Sequence, residues 1–149
     1  VRALTKDRLD ELYTQVIACF EGAAIATGCT FEVKAVGNTY TDMVVDPVMA
    51  DLFAENSAAL GRPMHRNSEY DPGATGSTDM ANVSYEVPSI HPMLDIKAEP
   101  AVNHQKEFAA HTLTPTGEAA IRDGALAMAM TIIDLAEGDR WKDLGTAAP

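Results

Sequence analysis

The 149-residue sequence predicts an α/β protein. Three observations carry that expectation. Apolar residues recur at helical spacing over residues 5–28, 46–61 and 114–138, a two-residue alternation follows the first of these at 31–35, and 90–96 is an apolar run of strand length. The character of the chain also changes near Met43, where a helix and a strand give way to a longer mixed region.

Thr5 precedes Leu9, Leu12, Val16 and Phe20, with Ala23 and Ala24 continuing the stripe, so the first helix starts at a hydroxyl cap and ends at Gly28. Phe31, Val33 and Ala35 then alternate with Glu32 and Lys34, the pattern of a strand with one apolar and one solvated face, until Gly37 and Asn38 stop it. Asp46-Pro47 starts the second helix: the carboxylate accepts an orphan backbone N–H, and proline at the first helical position forfeits no bond. Met49, Leu52, Phe53 and Leu60 form its apolar side, and Gly61 ends it.

Residues 62–75 are polar, rich in Pro, Gly and Asn, and without a sustained period, which predicts a connecting loop with room for a short strand. Ser77 and Thr78 are suitable caps for a short helix in which Met80, Val83 and Val87 recur before Pro88. Residues 90–96 read as a buried strand in which Pro92 demands an edge or a bulge. The last helix starts at Thr114-Pro115 and runs through Ile121, Ala125, Met128, Ile132 and Leu135 to Gly138. Its Ala- and Met-rich middle predicts burial on more than one side.

Composition narrows the function classes. A net charge of -11 argues against sequence-independent nucleic-acid binding, which needs clustered Lys and Arg to neutralise phosphates. No apolar run approaches the roughly 20 residues of a membrane span, and no signal peptide is visible, so a cytoplasmic globular protein is expected. Cys19 and Cys29 have neither C-x-x-C spacing nor a disulfide-dense setting, and read as small core thiols in a reducing compartment.

The chemistry concentrates in residues 76–108, which join Gly76-Ser77-Thr78-Asp79, a Pro-bounded apolar run and Asn103-His104-Gln105-Lys106-Glu107-Phe108. Imidazole is a common ligand for zinc-like metals, which singles out His104, although a lone histidine is more often a surface or satisfied core residue. Asp79 is placed to expose a carboxylate at a helix N-terminus, where capping is the plainer role. Glu107 follows His104 by three positions and is equally consistent with orienting it or with being solvated. His65 and His111 fit no ligand spacing, and exposed loop positions are their default.

Together these motifs resemble the C-terminal segment of the aminoacylase and aminobenzoyl-glutamate hydrolase family of metallopeptidases, in its dipeptidase-like subgroup, over most of the chain. Ala81-Asn82-Val83-Ser84 keeps the pattern that follows the turn in that family, with Ala for the frequent Gly. The resemblance implies a two-domain protein, with residues 1–43 ending an α+β lid or dimerisation domain and 44–149 forming the C-terminal part of an α/β catalytic domain. It implies two divalent metals, zinc or manganese, with His104 as a metal ligand. Ser77, Thr78 and Asp79 are implied to line the substrate site or to support it from behind the residues in direct contact, with Asp79 not itself a metal ligand. His91, in Pro-Ser-Ile-His-Pro, matches only the dipeptidase-like subgroup, and substrate contact and structural packing stand equal for it.

The activity implied is cleavage of the amide bond in N-acyl amino acids, aminobenzoyl-glutamate-like compounds or small dipeptides. Such enzymes need an early His-x-Asp and a Glu-Glu pair that supplies the general base, and neither occurs in these 149 residues. No catalytic residue is therefore expected here. The chain is expected to be inactive alone, to work with the N-terminal part of the same enzyme, and to form a homodimer through the lid. The face around Met128 and Ile132 is expected to lie uncovered without that part. A non-catalytic binding or assembly subunit is the alternative from another class.

Overall fold

A computed structural model of the chain describes residues 1–65 and 76–145. Among these, the elements are α1 (Lys6–Thr27), α2 (Pro47–Ala59), α3 (Met80–Ser84), α4 (Lys106–His111) and α5 (Pro115–Glu137), followed by a 3-10 turn, Arg140–Asp143.

The three long helices lie where periodicity and caps placed them. The Thr5 hydroxyl accepts the Arg8 N–H at 3.4 Å, and Gly28 closes α1 in the left-handed region at φ 70°. Asp46 Oδ1 accepts the Met49 N–H at 2.8 Å to start α2, and the Thr114 hydroxyl accepts the Gly117 N–H at 3.3 Å to start α5.

The core is the pairing of α2 with α5. Leu52, Phe53, Asn56 and Ser57 of α2 are buried, as are Gly117, Ala120, Gly124, Ala127, Thr131 and Leu135 of α5. The buried α5 residues recur every three or four positions and are mostly small, and in the packed core Phe53 and Leu135 are 2% and 1% exposed. Across this seam Asn56 Nδ2 donates to Asp134 Oδ2 at 2.7 Å and to Thr131 Oγ1 at 3.4 Å, which satisfies an otherwise costly buried amide. At Gly124 a side chain would collide with Leu94, and at Gly117 a Cβ would sit 2.6 Å from the His111 and Thr112 carbonyl oxygens.

Several expectations are corrected. No strand forms among the described residues, neither at 31–35 nor at 90–96, so helices alone make up the regular structure. The alternation at Phe31, Val33 and Ala35 specifies a face, but a strand exists only through ladder bonds to a neighbour, and none is found for these residues. At 90–96, Pro92 removes a ladder donor. The short strand considered within 62–75 falls mainly on 66–75, outside the described residues.

The third helix stops at Ser84, well before Val87. The short α4 was not signalled by any periodicity. Cys19 and Cys29 are exposed rather than core thiols: α1, which carries Cys19, buries none of its 22 residues, and Cys29 lies just past its end. On α5 one side is buried and the other is not, with Ile121 70%, Met128 53% and Ile132 58% exposed.

Candidate functional site

The 76–79 turn is built into α3. Thr78 Oγ1 accepts the Met80 N–H at 3.3 Å, the Thr78 carbonyl accepts the Ala81 N–H at 3.2 Å, and the Asp79 carbonyl accepts the Asn82 N–H at 3.0 Å. Ser77 and Asp79 are exposed and Thr78 is half-buried. Asp79 occupies the cap position of α3, yet its carboxylate makes no capping bond. Capping by that side chain, the plainer reading of Asp79, is therefore not what the structure contains.

α3 is strapped to residues 39–44. Asn82 Oδ1 accepts the Thr41 N–H at 3.2 Å while its Nδ2 donates to the Thr39 carbonyl at 2.9 Å. Buried Ser84 accepts the Val44 N–H on Oγ at 2.9 Å and donates to the Ala81 carbonyl at 2.6 Å. The Tyr85 hydroxyl donates to Asp42 Oδ1 at 2.8 Å, and the same oxygen accepts the Lys6 N–H at 2.8 Å. These bonds tie the start of α1 and the end of α3 to one carboxylate. Partial burial alone would push the Asp42 carboxyl up, but the Tyr85 hydroxyl and the Lys6 N–H outweigh it and hold the group below the usual carboxylate range. The same bond, helped by burial, pushes Tyr85 up to about 12.

The strap runs directly into buried Asp46. Its N–H donates to the Ser89 carbonyl at 2.9 Å, and Oδ2 accepts the Gly145 N–H at 2.7 Å in addition to the cap bond on Oδ1. His91 follows two residues after Ser89 and is exposed.

His104 lies on a third segment. Its backbone takes φ 68°, a conformation unusual for a non-glycine residue though less so for histidine, immediately before Gln105 begins α4. Gln105 Oε1 accepts the Val102 N–H at 3.1 Å, which steadies the bend. His104 is exposed, and Glu107 pairs with its neighbour Lys106 at 3.6 Å. His111 is half-buried at the end of α4, its carbonyl accepting the Thr114 hydroxyl at 2.7 Å, rather than on an exposed loop; His65 is exposed.

Ser77, Thr78 and Asp79 thus share one turn, whereas His91 and His104 belong to two other segments. Among the described residues no three His, Cys, Asp or Glu side chains come together to hold a metal ion, so these residues do not build a metal centre by themselves. An apolar depression lined by Leu94, Ile96, Thr112, Gly117, Ala120 and Ile121 includes none of the predicted site residues. Arg62 joins three segments, donating from Nε to Asp123 Oδ2 at 2.7 Å and from the guanidinium Nη1 to the Asp95 carbonyl at 2.9 Å. That guanidinium, with Arg122, lowers the Asp123 carboxyl.

No family model matches the chain. Two curated proteins do. The chain is 31% identical over 134 residues to the Xaa-Arg dipeptidase of Mus musculus, and 31% identical over 134 residues to that of Homo sapiens, 90% of this chain being covered in each case. Its sequence relationship is to dipeptidases. The chain spans about a third of the length of these relatives, 31% and 30% respectively. Among the described residues no helix is long and apolar enough to cross a membrane.

Sequence reading missed the structural work of Asp42, Asn82 and Tyr85. The only signal was Ala81-Asn82-Val83-Ser84, which motif comparison singled out without giving Asn82 or Ser84 a task.

Proposed function

We propose that this chain is the C-terminal portion of a metal-dependent peptidase that hydrolyses the amide bond of small dipeptides or N-acyl amino acids. The similarity to the two Xaa-Arg dipeptidases across 90% of the chain carries this reading, and it favours dipeptides ending in arginine among those substrates. In it, His104 is the one metal ligand this chain contributes to a pair of zinc or manganese ions, alongside groups outside the described residues. Ser77, Thr78, Asp79 and His91 contact the substrate. The general-base glutamate comes from the N-terminal part of the same enzyme.

The domain division belongs to the same proposal. Residues 1–43 end a lid through which the enzyme dimerises, and 44–149 complete a catalytic domain whose sheet lies elsewhere in the protein. The exposed side of α5 around Met128 and Ile132 supports this, since apolar surface of that kind is normally covered.

The test uses the complete enzyme that carries this segment, loaded with zinc or manganese and assayed on dipeptides ending in arginine. Hydrolysis should be present, and His104→Ala should lower kcat/KM by at least about a hundredfold with the unfolding midpoint unchanged, as loss of metal support does. Calorimetry should find only weak zinc binding to the 149-residue chain alone, which supplies a single credible ligand. Full activity in His104→Ala would remove His104 from the site. No hydrolysis of any dipeptide or N-acyl amino acid by the metal-loaded enzyme would leave a binding or assembly role instead.

A further inference from the structure

We propose that Asn82 is a positioning residue for the 77–79 turn, acting through a carboxamide clasp on the backbone of residues 39 and 41. The inference rests on the substrate role assigned above to that turn. A five-residue helix is too short to hold itself in water, so the orientation of α3 is set by what it is tied to. Buried Ala81 and Ser84 fix one side of it. The clasp fixes its direction.

The chemistry of the clasp is specific to asparagine. Its side chain accepts an N–H from Thr41 and donates an N–H to the carbonyl of Thr39, as the backbone of a neighbouring strand would. Aspartate keeps the acceptor but sets a second oxygen against the Thr39 carbonyl; alanine keeps neither bond. Only two residues away, Ser84 holds Val44, and the strap continues into Asp46, which is bonded to α2 and to residues 89 and 145. The strap is therefore anchored in the core, and α3 is hung from it.

Displacement of α3 is transmitted to the turn. The Ala81 and Asn82 N–H groups bond back to the Thr78 and Asp79 carbonyls, so the turn and the first residues of the helix move as one piece. Asn82 touches no substrate in this scheme. It sets where Ser77, Thr78 and Asp79 stand relative to the rest of the chain.

The experiment compares Asn82→Ala, Asn82→Asp and the control Val83→Ala, an exposed position on the same helix, in the complete enzyme. Amide hydrogen exchange and dipeptide kinetics are measured together. In Asn82→Ala the Thr41, Ala81 and residue 82 amides should exchange about tenfold faster while core amides of α5 stay protected. KM should rise about tenfold with kcat within about twofold, Asn82→Asp should not restore it, and Val83→Ala should match wild type. Faster exchange confined to Thr41 with unchanged KM overturns the proposal, as does unchanged exchange throughout. If the wild-type enzyme hydrolyses no dipeptide, the functional reading falls separately. Exchange at Ala81 and residue 82 then decides the clasp alone: acceleration supports it, protection overturns it.

Discussion

α1 and α5 are nearly equal in length, 22 and 23 residues, and both begin at a threonine whose hydroxyl caps the first turn. α5 buries six residues and α1 buries none. The difference lies in what each apolar stripe meets. The inward residues of α5 are mostly small and are covered, by α2 around Thr131, by Leu94 at Gly124 and by the 111–112 backbone at Gly117. The stripe of α1 meets chiefly the segment that follows it, with Phe20 stacked on Phe31 at 6.3 Å, and its start is tied down by one bond to Asp42. Helical periodicity therefore reports that a face exists. It does not report that the face has a partner within the same 149 residues.

The sharpest way to break this comparison is the same truncation on each helix. Leu135→Ala removes a side chain that is 1% exposed in the α2–α5 seam, and should lower stability to urea by about 3 kcal/mol. Leu12→Ala, on the half-buried side of α1, should lower it by less than about 1 kcal/mol, because little of its surface is withdrawn from water. An equal loss from both would mean that α1 is packed in solution against something the described residues do not supply.

A smaller contrast comes from the caps. Asp46→Ala should lower the unfolding free energy by about 2 kcal/mol, since it deletes the cap bond of a buried residue and also strands the Gly145 N–H. Thr5→Ala on exposed α1 should remain below about 1 kcal/mol by the same measurement. Equal losses would show that Asp46 does no more than begin a helix.

These contrasts explain which parts were legible in the sequence. Caps and periodic stripes are local, so Thr5, Asp46, Thr114, Gly28 and Gly61 marked the long helices well. Strands are not local, and the pattern at Phe31, Val33 and Ala35 could not reveal whether a ladder partner was present. The turn at 77–79 and His104 were legible as motif residues, because a short run of particular side chains carries them. The strap was not. Asn82 pairs with residues 41 and 43 positions away and Tyr85 with one 43 away, through single side-chain bonds that leave no period behind.

Asp42 is the point where the two regions meet, and its bond to Tyr85 gives the most diagnostic effect. Tyr85→Phe removes one hydrogen bond to a half-buried carboxylate, which should lower stability near neutral pH by about 1–2 kcal/mol. The folded Tyr85 titrates at about 12, above the roughly 10 of an unfolded tyrosine, so its contribution is complete below pH ~10 and is lost as pH rises towards 12. The folded Asp42 carboxyl is lowered, so its contribution is present above the unfolded carboxylate value of about 3.9 and is lost as pH falls through the folded one. The advantage of wild type over Tyr85→Phe should therefore form a plateau from about pH 5 to 9 and shrink at both ends, as read from urea midpoints across pH. A difference that stays constant to pH 12 would show that Tyr85 acts through packing, and that the bond between α3 and the start of α1 is not what joins the buried region to the exposed one.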